Sequence, residues 1–510
     1  MLYDNKILIG YAGERPVYIY PSMANRHGLI SGATGTGKTV TLRVMAEAFS
    51  EMGVPVFLAD AKGDLAGIGY KGEQTESVAS RVEKFGLDKL GFEYRGYPVS
   101  YWDVYQKGGI PLRTTITEMG PMLLSRILGL NDTQTAIMDV IFKIADDEGL
   151  LLIDTKDLKA MLTYAGENAK EYSLKYGNLA KQSMAAIMRS VVSLEANGGD
   201  LFFAEPALDI HDMFSADKDG RGRINLLDCR ELMLNPVMYA TFMMWLISEL
   251  FETLPEVGDM DKPKMVFFFD EAHMLFDGAP KAMLDKISQL VKLIRSKGVG
   301  IYFITQTPQD IPDSVLAQLG NKVQHALHAY TPAEQKKMKA AAQSYRENPE
   351  FDTYTALGEL GVGEALISVL DLEGIPTVVE RAKVLPPQSL LGALDDGVRR
   401  MHIAADPLYK KYYEYVDNDS AYEFMQRRQM EAAEAAAVAA ALAEEEKKKA
   451  AAKKAVGKAV SSTGKSVAGT LGREAGNALG KTVGGAFGKR LGGNLGASLG
   501  RGLFDTLFKR

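Results

Sequence analysis

Gly32-Ala-Thr-Gly-Thr-Gly-Lys38-Thr39 is the stretch that most narrows what this chain can become. It fits the spacing G-x-x-x-x-G-K-[S/T], in which glycines permit a turn whose backbone N–H groups wrap phosphate oxygens. The helix that follows adds partial positive charge at the same place. Such a turn has this meaning only between a strand and a helix. His27-Gly-Leu-Ile-Ser reads as a short strand, and helical spacing starts near Lys38. The phosphate-contacting set is therefore Gly32, Ala33, Thr34, Gly35, Thr36, Gly37, Lys38, Thr39 and Val40. Lys38 is placed to reach the β- and γ-phosphates of a nucleoside triphosphate, and Thr39 to coordinate Mg²⁺.

A second motif, Met265-Val-Phe-Phe-Phe-Asp270-Glu271, reads as a buried strand ending in two carboxylates. Asp270 suits the Mg²⁺ shell, and Glu271 can polarise the attacking water as general base. Acidic pairs also end strands simply because the chain exits to solvent. A P-loop in the same chain favours the chemical reading. Ile301-Tyr-Phe-Ile-Thr-Gln306 supplies a third strand, whose terminal Gln306 could touch the γ-phosphate or the water. Sites of this kind often take an arginine from a neighbouring subunit, for which Arg295 and Arg381 are candidates. Asp270-Glu-Ala-His273 spells DEAH, but the Ser-Ala-Thr and final arginine-rich motifs of DEAH-box helicases are missing. The six histidines are too scattered for a metal site, and the lone Cys229 excludes an intrachain disulfide.

Around these motifs the pattern is that of a parallel α/β sheet. Val54-Pro-Val-Phe-Leu-Ala-Asp60 is a second apolar run of strand length, and near-continuous runs suit strands covered on both faces. Helical spacing dominates from about residue 73 to 210, with an edge strand expected near Tyr97–Val104. Further strands are predicted at Lys6–Tyr11, Pro16–Tyr20, Arg223–Leu227, Val323–Ala329, Glu364–Leu370 and Thr377–Ala382. Pro236 to Leu254 is interrupted by Glu249 and Glu252, and reads as a buried helix rather than a membrane span. Beyond Pro387 the globular signals weaken. Gln429–Val456, rich in Ala, Glu and Lys, predicts a solvated helix. Glycines at 472, 476, 480, 484, 488, 492, 496 and 500 then recur every fourth residue. That spacing lets helix backbones approach closely, yet each glycine weakens a helix by roughly 1 kcal/mol. Residues 457–510 carry a charge of +7 within a chain of −6, leaving −13 for the rest. An acidic body lacks the broad basic footprint of a nucleic-acid-binding surface, so any DNA contact falls to local loops or the tail.

Taken with Met23–Thr39, Ala59-Asp-Ala-Lys-Gly-Asp-Leu65, Gly120-Pro-Met-Leu-Leu, Leu130-Asn-Asp-Thr-Gln and Ile294-Arg-Ser-Lys-Gly-Val-Gly, these motifs make the chain resemble the HerA–FtsK group of P-loop ATPases. The resemblance spans about residues 20 to 385. It implies a RecA-like core with a mainly parallel sheet flanked by helices, ATP and Mg²⁺ as cofactors, and a homo-oligomer, often a hexamer, that moves double-stranded DNA. Carried over by position, Lys38, Glu271 and Gln306 are catalytic, while Thr39 and Asp270 bind the metal. Asp60 and Asp64 have no assigned role. The expected organisation is a short β segment (1–26), a core in two parts (27–72 and 211–395) around a mostly helical insertion (73–210), a helical extension (396–456) and the glycine-rich basic tail (457–510). A cytoplasmic location fits a chain with a single cysteine and no signal-like N-terminus. The rival is a nucleotide-switched scaffold whose tail attaches to a partner, such as a nuclease, or to a membrane surface. A small-molecule kinase ranks behind both, since Glu271 suits activation of water better than transfer to a hydroxyl.

Overall fold

A computed structural model describes residues 1–279 and 281–462. The tail repeat and its basic residues lie outside the described residues. By packing, the chain divides after Met425.

The first unit is built on one mixed sheet. Its strands are β1 (Leu2–Tyr3), β2 (Lys6–Ala12), β3 (Arg15–Ile19), β4 (Gly28–Ser31), β5 (Val56–Asp60), β6 (Val99–Asp103), β7 (Ile110–Pro111), β8 (Ile224–Asp228), β9 (Met265–Phe269), β10 (Val299–Thr305), β11 (Asn321–Gln324), β12 (Glu364–Ser368) and β13 (Glu380–Val384). Their order is β1-β2-β13-β12-β11-β4-β10-β9-β5-β8-β6-β7, with β3 along the other side of β2. From β11 to β7 all neighbours are parallel. From β11 through β12, β13 and β2 they are antiparallel. The glycine-rich turn follows β4, while β9 carries the Asp-Glu pair and lies two strands away with β10 between them. That arrangement is RecA-like. The order reverses at β4, which is where open α/β sheets bind ligands beyond the strands' carboxyl ends.

Residue choice explains why β9 and β10 sit in the middle. Every residue of both is buried. Phe57, Phe267, Phe269 and Phe303 form a ladder of rings on one face, with centroids 5.0, 6.0 and 5.9 Å apart in succession. On the other face Phe268 stacks on Tyr302 at 5.1 Å, and Phe49 of helix α1 (Lys38–Glu51) packs against both. Removing one of these rings to Ala costs about 3–5 kcal/mol.

Between β5 and β8 the chain forms helices at Glu76–Lys84, Ile116–Ile127, Asp132–Glu148, Thr155–Glu167, Ala169–Tyr176 and Lys181–Ala196. Three of them start with reciprocal caps: Thr115 with Glu118, Asn131 with Gln134, and Asp154 with Asp157. Such caps satisfy orphan N–H groups and fix where each helix begins. Gly120, in a non-helical conformation with φ of 72°, breaks the first of the three just before Pro121. The strand expected near Tyr97 is no edge. β6 lies between β8 and the two-residue β7, because its five residues are all buried and need pairing on both sides. The last two strands also end or start off their expected limits, at Ser368 and Glu380. Pro236–Thr253 is a largely buried helix.

Past Pro387 the chain packs better than its composition suggests. Gln388 and Ser389 donate backbone N–H groups, at 2.9 and 3.0 Å, to the buried carboxylate of Glu47 on α1. Arg43, also on α1 and fully buried, bonds Ser389 Oγ and the carbonyls of Leu390 and Asp64. Helix α1 thus buries Arg43 and Glu47 under a C-terminal strap that supplies their hydrogen-bond partners. Helix Ala421–Ser462 is exposed beyond Gln426, with Lys448–Glu444 and Lys449–Glu445 pairs at 2.7 Å. No helix among the described residues is long and apolar enough to cross a membrane.

Candidate functional site

The turn after β4 is glycine-dependent where its backbone demands it. Gly32 has φ of 150° and a Cβ there would stand 2.5 Å from the Cβ of His325; Gly37, the residue before α1, has φ of 116°. Both positions are closed to ordinary side chains. The turn is braced from below by β11 and its extension. Ala33 N–H donates to Ala326 O at 2.8 Å, and Ser31 Oγ donates to Gln324 Oε1 at 2.6 Å. His325 donates from Nδ1 to the Glu364 carbonyl (2.9 Å), which leaves Nε2 to accept from Thr41 of α1 (2.8 Å). Burial drives its pKa down to about 4, so it serves as a neutral brace. Lys38 lies at the first residue of α1, and its ammonium donates to the carbonyls of Gly32 (2.6 Å) and Ala33 (3.0 Å). Thr39 follows, half-buried.

Strand register brings the acidic pair to the same edge. Ser31 is level with Thr305 of β10, and Phe303 of β10 with Phe269 of β9. Two strand spacings, roughly 10 Å, separate the glycine turn from Asp270. Burial brings the Lys38 pKa below its ordinary value, with Glu271 and Asp270 opposing that shift and Lys62 adding to it. Burial pushes Asp270 up to about 7, the negative Glu271 beside it adds to the shift, and Lys62 opposes it. Asp270 accepts the N–H of Glu271 at 2.9 Å, while its own carbonyl takes the Tyr239 hydroxyl at 2.9 Å. Glu271 has φ of 47°, an uncommon conformation for a side-chain-bearing residue. Ala272 N–H, bonded to Ile304 O at 2.8 Å, anchors the next residue against β10.

Lys62 is the charged neighbour that motif reading missed. Its ammonium pairs with Glu271 Oε1 at 3.0 Å. Burial lowers its pKa, but the hydrogen bond and charge of Glu271 raise it overall. The signal lay in Asp60-Ala-Lys-Gly: an aspartate closing a strand, then a lysine before a glycine. Asp60 Oδ1 accepts Gly63 N–H (2.7 Å) and Lys62 N–H (3.3 Å), and Oδ2 accepts Leu65 N–H (3.1 Å). Gly63 takes the left-handed conformation that this bend requires.

Gln306 follows β10 directly, between the turn and the acidic pair, with an exposed side chain. Arg295 and Arg381 stand apart from Asp270 in the same chain. Arg295 precedes β10, one strand length away at the opposite edge of the sheet, and pairs with Asp259 at 3.6 Å. Arg381, on β13, pairs with Glu364 at 3.0 Å. Among the described residues no cluster of three His, Cys, Asp or Glu could hold a metal. Oxygens at this edge include the Asp270 carboxylate, which accepts one N–H, the unbonded Glu271 Oε2 and the Thr39 hydroxyl at the start of α1. A hard cation such as Mg²⁺ prefers such donors and keeps water and phosphate oxygens for its remaining positions.

The sequence profile of the family described as helicase HerA-like, C-terminal, matches residues 6–510. A probable helicase of Methanocaldococcus jannaschii is 27% identical over 161 residues, 31% of this chain and 28% of that protein. The DNA double-strand break repair helicase HerA of Sulfolobus acidocaldarius is 21% identical over 384 residues, 73% of this chain and 68% of that protein. The chain thus spans under a third of the first relative and about two thirds of the second. Among solved structures, the bacterial conjugative coupling protein TrwB without its N-terminal segment aligns with a TM-score of 0.48 at 13% identity, covering 76% of this chain and 89% of that one.

Proposed function

Since this chain belongs to the HerA-like helicase C-terminal family, we propose that it is a Mg²⁺-dependent ATP hydrolase that works as a homo-oligomeric motor on double-stranded DNA. The observation that carries the reading is the shared edge. The glycine-rich turn and the acidic pair of buried Asp270 and part-buried Glu271 leave the sheet two strands apart, with β10 and Gln306 between them. Lys38 would hold the β- and γ-phosphates, its two carbonyl partners being the ones it gives up to do so. Thr39 and Asp270 would hold Mg²⁺. The buried pair fits a cation, because Asp270 accepts a single backbone N–H beside a second carboxylate and is poorly compensated without one. Bound there, Mg²⁺ supplies charge neutralisation at the phosphates. Glu271 would take the proton of the attacking water, and Gln306 would orient that water or the γ-phosphate. Arg295 or Arg381 from a neighbouring subunit would complete the site. The DNA substrate follows the relative named a double-strand break repair helicase, and a cytoplasmic setting suits it.

Turnover of ATP with and without duplex DNA at low salt tests the motor, since phosphate contacts show most clearly there. A DNA-dependent rise is expected; a rate indifferent to DNA overturns the motor and leaves the ATPase. Glu271→Gln should keep ATP binding and lose hydrolysis by at least ~100-fold, the scale of a general base. Near-normal turnover would place the base elsewhere.

A further inference from the structure

We propose that Lys62 is a positioning residue for hydrolysis, holding the Glu271 carboxylate so that one of its oxygens stays open to the attacking water. This rests on the ATPase reading above and goes deeper into the same site.

The two oxygens of Glu271 differ. Oε1 is engaged by the Lys62 ammonium at 3.0 Å. Oε2 is buried and accepts no hydrogen bond, and its neighbour His273 Nδ1 stands at 3.5 Å with no hydrogen-bond partner of its own. A buried carboxylate oxygen without a donor is costly, on the order of 1–3 kcal/mol or more. A donor arriving at Oε2, such as the O–H of a water about to lose its proton, relieves that cost. The carboxylate is thus gripped on one side and left wanting on the other.

The half-exposed lysine side chain reaches Glu271 from a fixed backbone arm. Asp60 is almost fully buried, and its two oxygens take three backbone N–H groups of the turn that carries Lys62. Gly63 lies against Arg230, whose Cδ would be 2.9 Å from a Cβ there, so the arm is confined from its outer side too. Glu271 itself is set by its left-handed backbone and by the N–H bonds of Glu271 and Ala272. What remains free is the glutamate side chain, with three rotatable bonds, and Lys62 removes that freedom. A general base out of place by about 1 Å can cost on the order of 100-fold in rate.

The test compares Lys62→Ala and Lys62→Arg with the unsubstituted chain in steady-state ATP hydrolysis. Binding of a fluorescent ATP analogue and the thermal midpoint are measured beside it. Lys62→Ala should lower kcat by about 10- to 100-fold with KM and analogue affinity nearly unchanged, and Lys62→Arg should recover most of the loss. In a Glu271→Gln background, Lys62→Ala should cost nothing further, because the lysine acts through the glutamate. Turnover that stays equal or rises in Lys62→Ala overturns the proposal. So does a loss confined to KM, which would put the ammonium on the nucleotide, or a full further loss in the Glu271→Gln background. An unsubstituted chain that hydrolyses no ATP would instead overturn the ATPase reading itself.

Discussion

Four neighbouring parallel strands, β9, β5, β8 and β6, deliver an aspartate to the same edge of the sheet, and β9 treats its aspartate differently from the other three. Asp60, the last residue of β5, is consumed by the backbone N–H groups of its own turn. Asp103, the last of β6, takes those of Tyr105, Lys107 and Gly108, each at 2.8 Å. Asp228, the last of β8, is clamped by Arg230 at 2.6 Å and Arg399 at 3.0 Å. Asp270 is as buried as these but accepts a single N–H, and Glu271 beside it adds negative charge. Burial and strand-end position are common to all four, so neither marks function. What distinguishes Asp270 is unspent acceptor capacity facing Lys38 and Lys62.

That contrast breaks first at Asp228. Burial raises its pKa, but Arg230 and Arg399 hold it below the usual carboxylate range. Arg399 is itself buried, with Nε and Nη2 making no hydrogen bonds. Asp228→Ala would strand that guanidinium, and losing one partner of a buried pair costs about 3–5 kcal/mol. Chemical denaturation should show a loss of that size; a change under about 1 kcal/mol would mean that the pair is solvated and the contrast overdrawn.

The motifs were legible because their chemistry is local in sequence. The turn between β4 and α1, the acidic pair after β9 and the glutamine after β10 are each a few adjacent residues, and apolar runs placed their strands. Lys62 was legible only as a letter in a block, since its meaning comes from Glu271, more than 200 residues away. The same holds for Glu47 and Arg43, whose partners at Gln388–Leu390 lie more than 300 residues away. The end strands drifted because Val369, Leu370 and Thr377–Val379 are strand-like residues that the fold uses outside the ladder, in an isolated bridge between Leu370 and Pro376 and in the bonds of Thr377 to Ser368 and Val369. The tail's period of four still has no structural counterpart among the described residues.

A smaller effect sharpens the comparison between Asp60 and Asp270. Asp60→Ala leaves the N–H groups of Gly63 and Leu65 without their acceptor and should cost about 1–3 kcal/mol. Asp270→Asn removes one of two adjacent negative charges while keeping the acceptor for Glu271 N–H. It should leave nucleotide-free stability equal or higher and yet abolish Mg²⁺-dependent turnover. Equal destabilisation by the two substitutions would place Asp270 among the structural aspartates.

The last of these effects is a slope rather than a single loss. The Asp270 carboxyl ordinarily titrates near 3.8 but is pushed up to about 7 in the folded chain, by burial first and Glu271 second. Between those values the folded form holds a proton that the unfolded form has released, so folding loses stability as pH rises from about 4 to 7 and levels off above. His27 and His325, ordinarily near 6.5, are driven by burial to about 4 in the folded chain. Over that interval the unfolded form carries the extra protons, so their contribution is present above 6.5 and is lost as pH falls towards 4. The two trends oppose each other in the unsubstituted protein, which is why its total slope says little. Asp270→Asn deletes one trend and leaves the other. Its stability relative to the parent, measured without nucleotide or metal, should therefore climb steadily from pH 4.5 to 7, values set roughly by the linkage between those two titrations. A difference independent of pH would show that Asp270 is already compensated within the fold, and its claim to a cation would go with it.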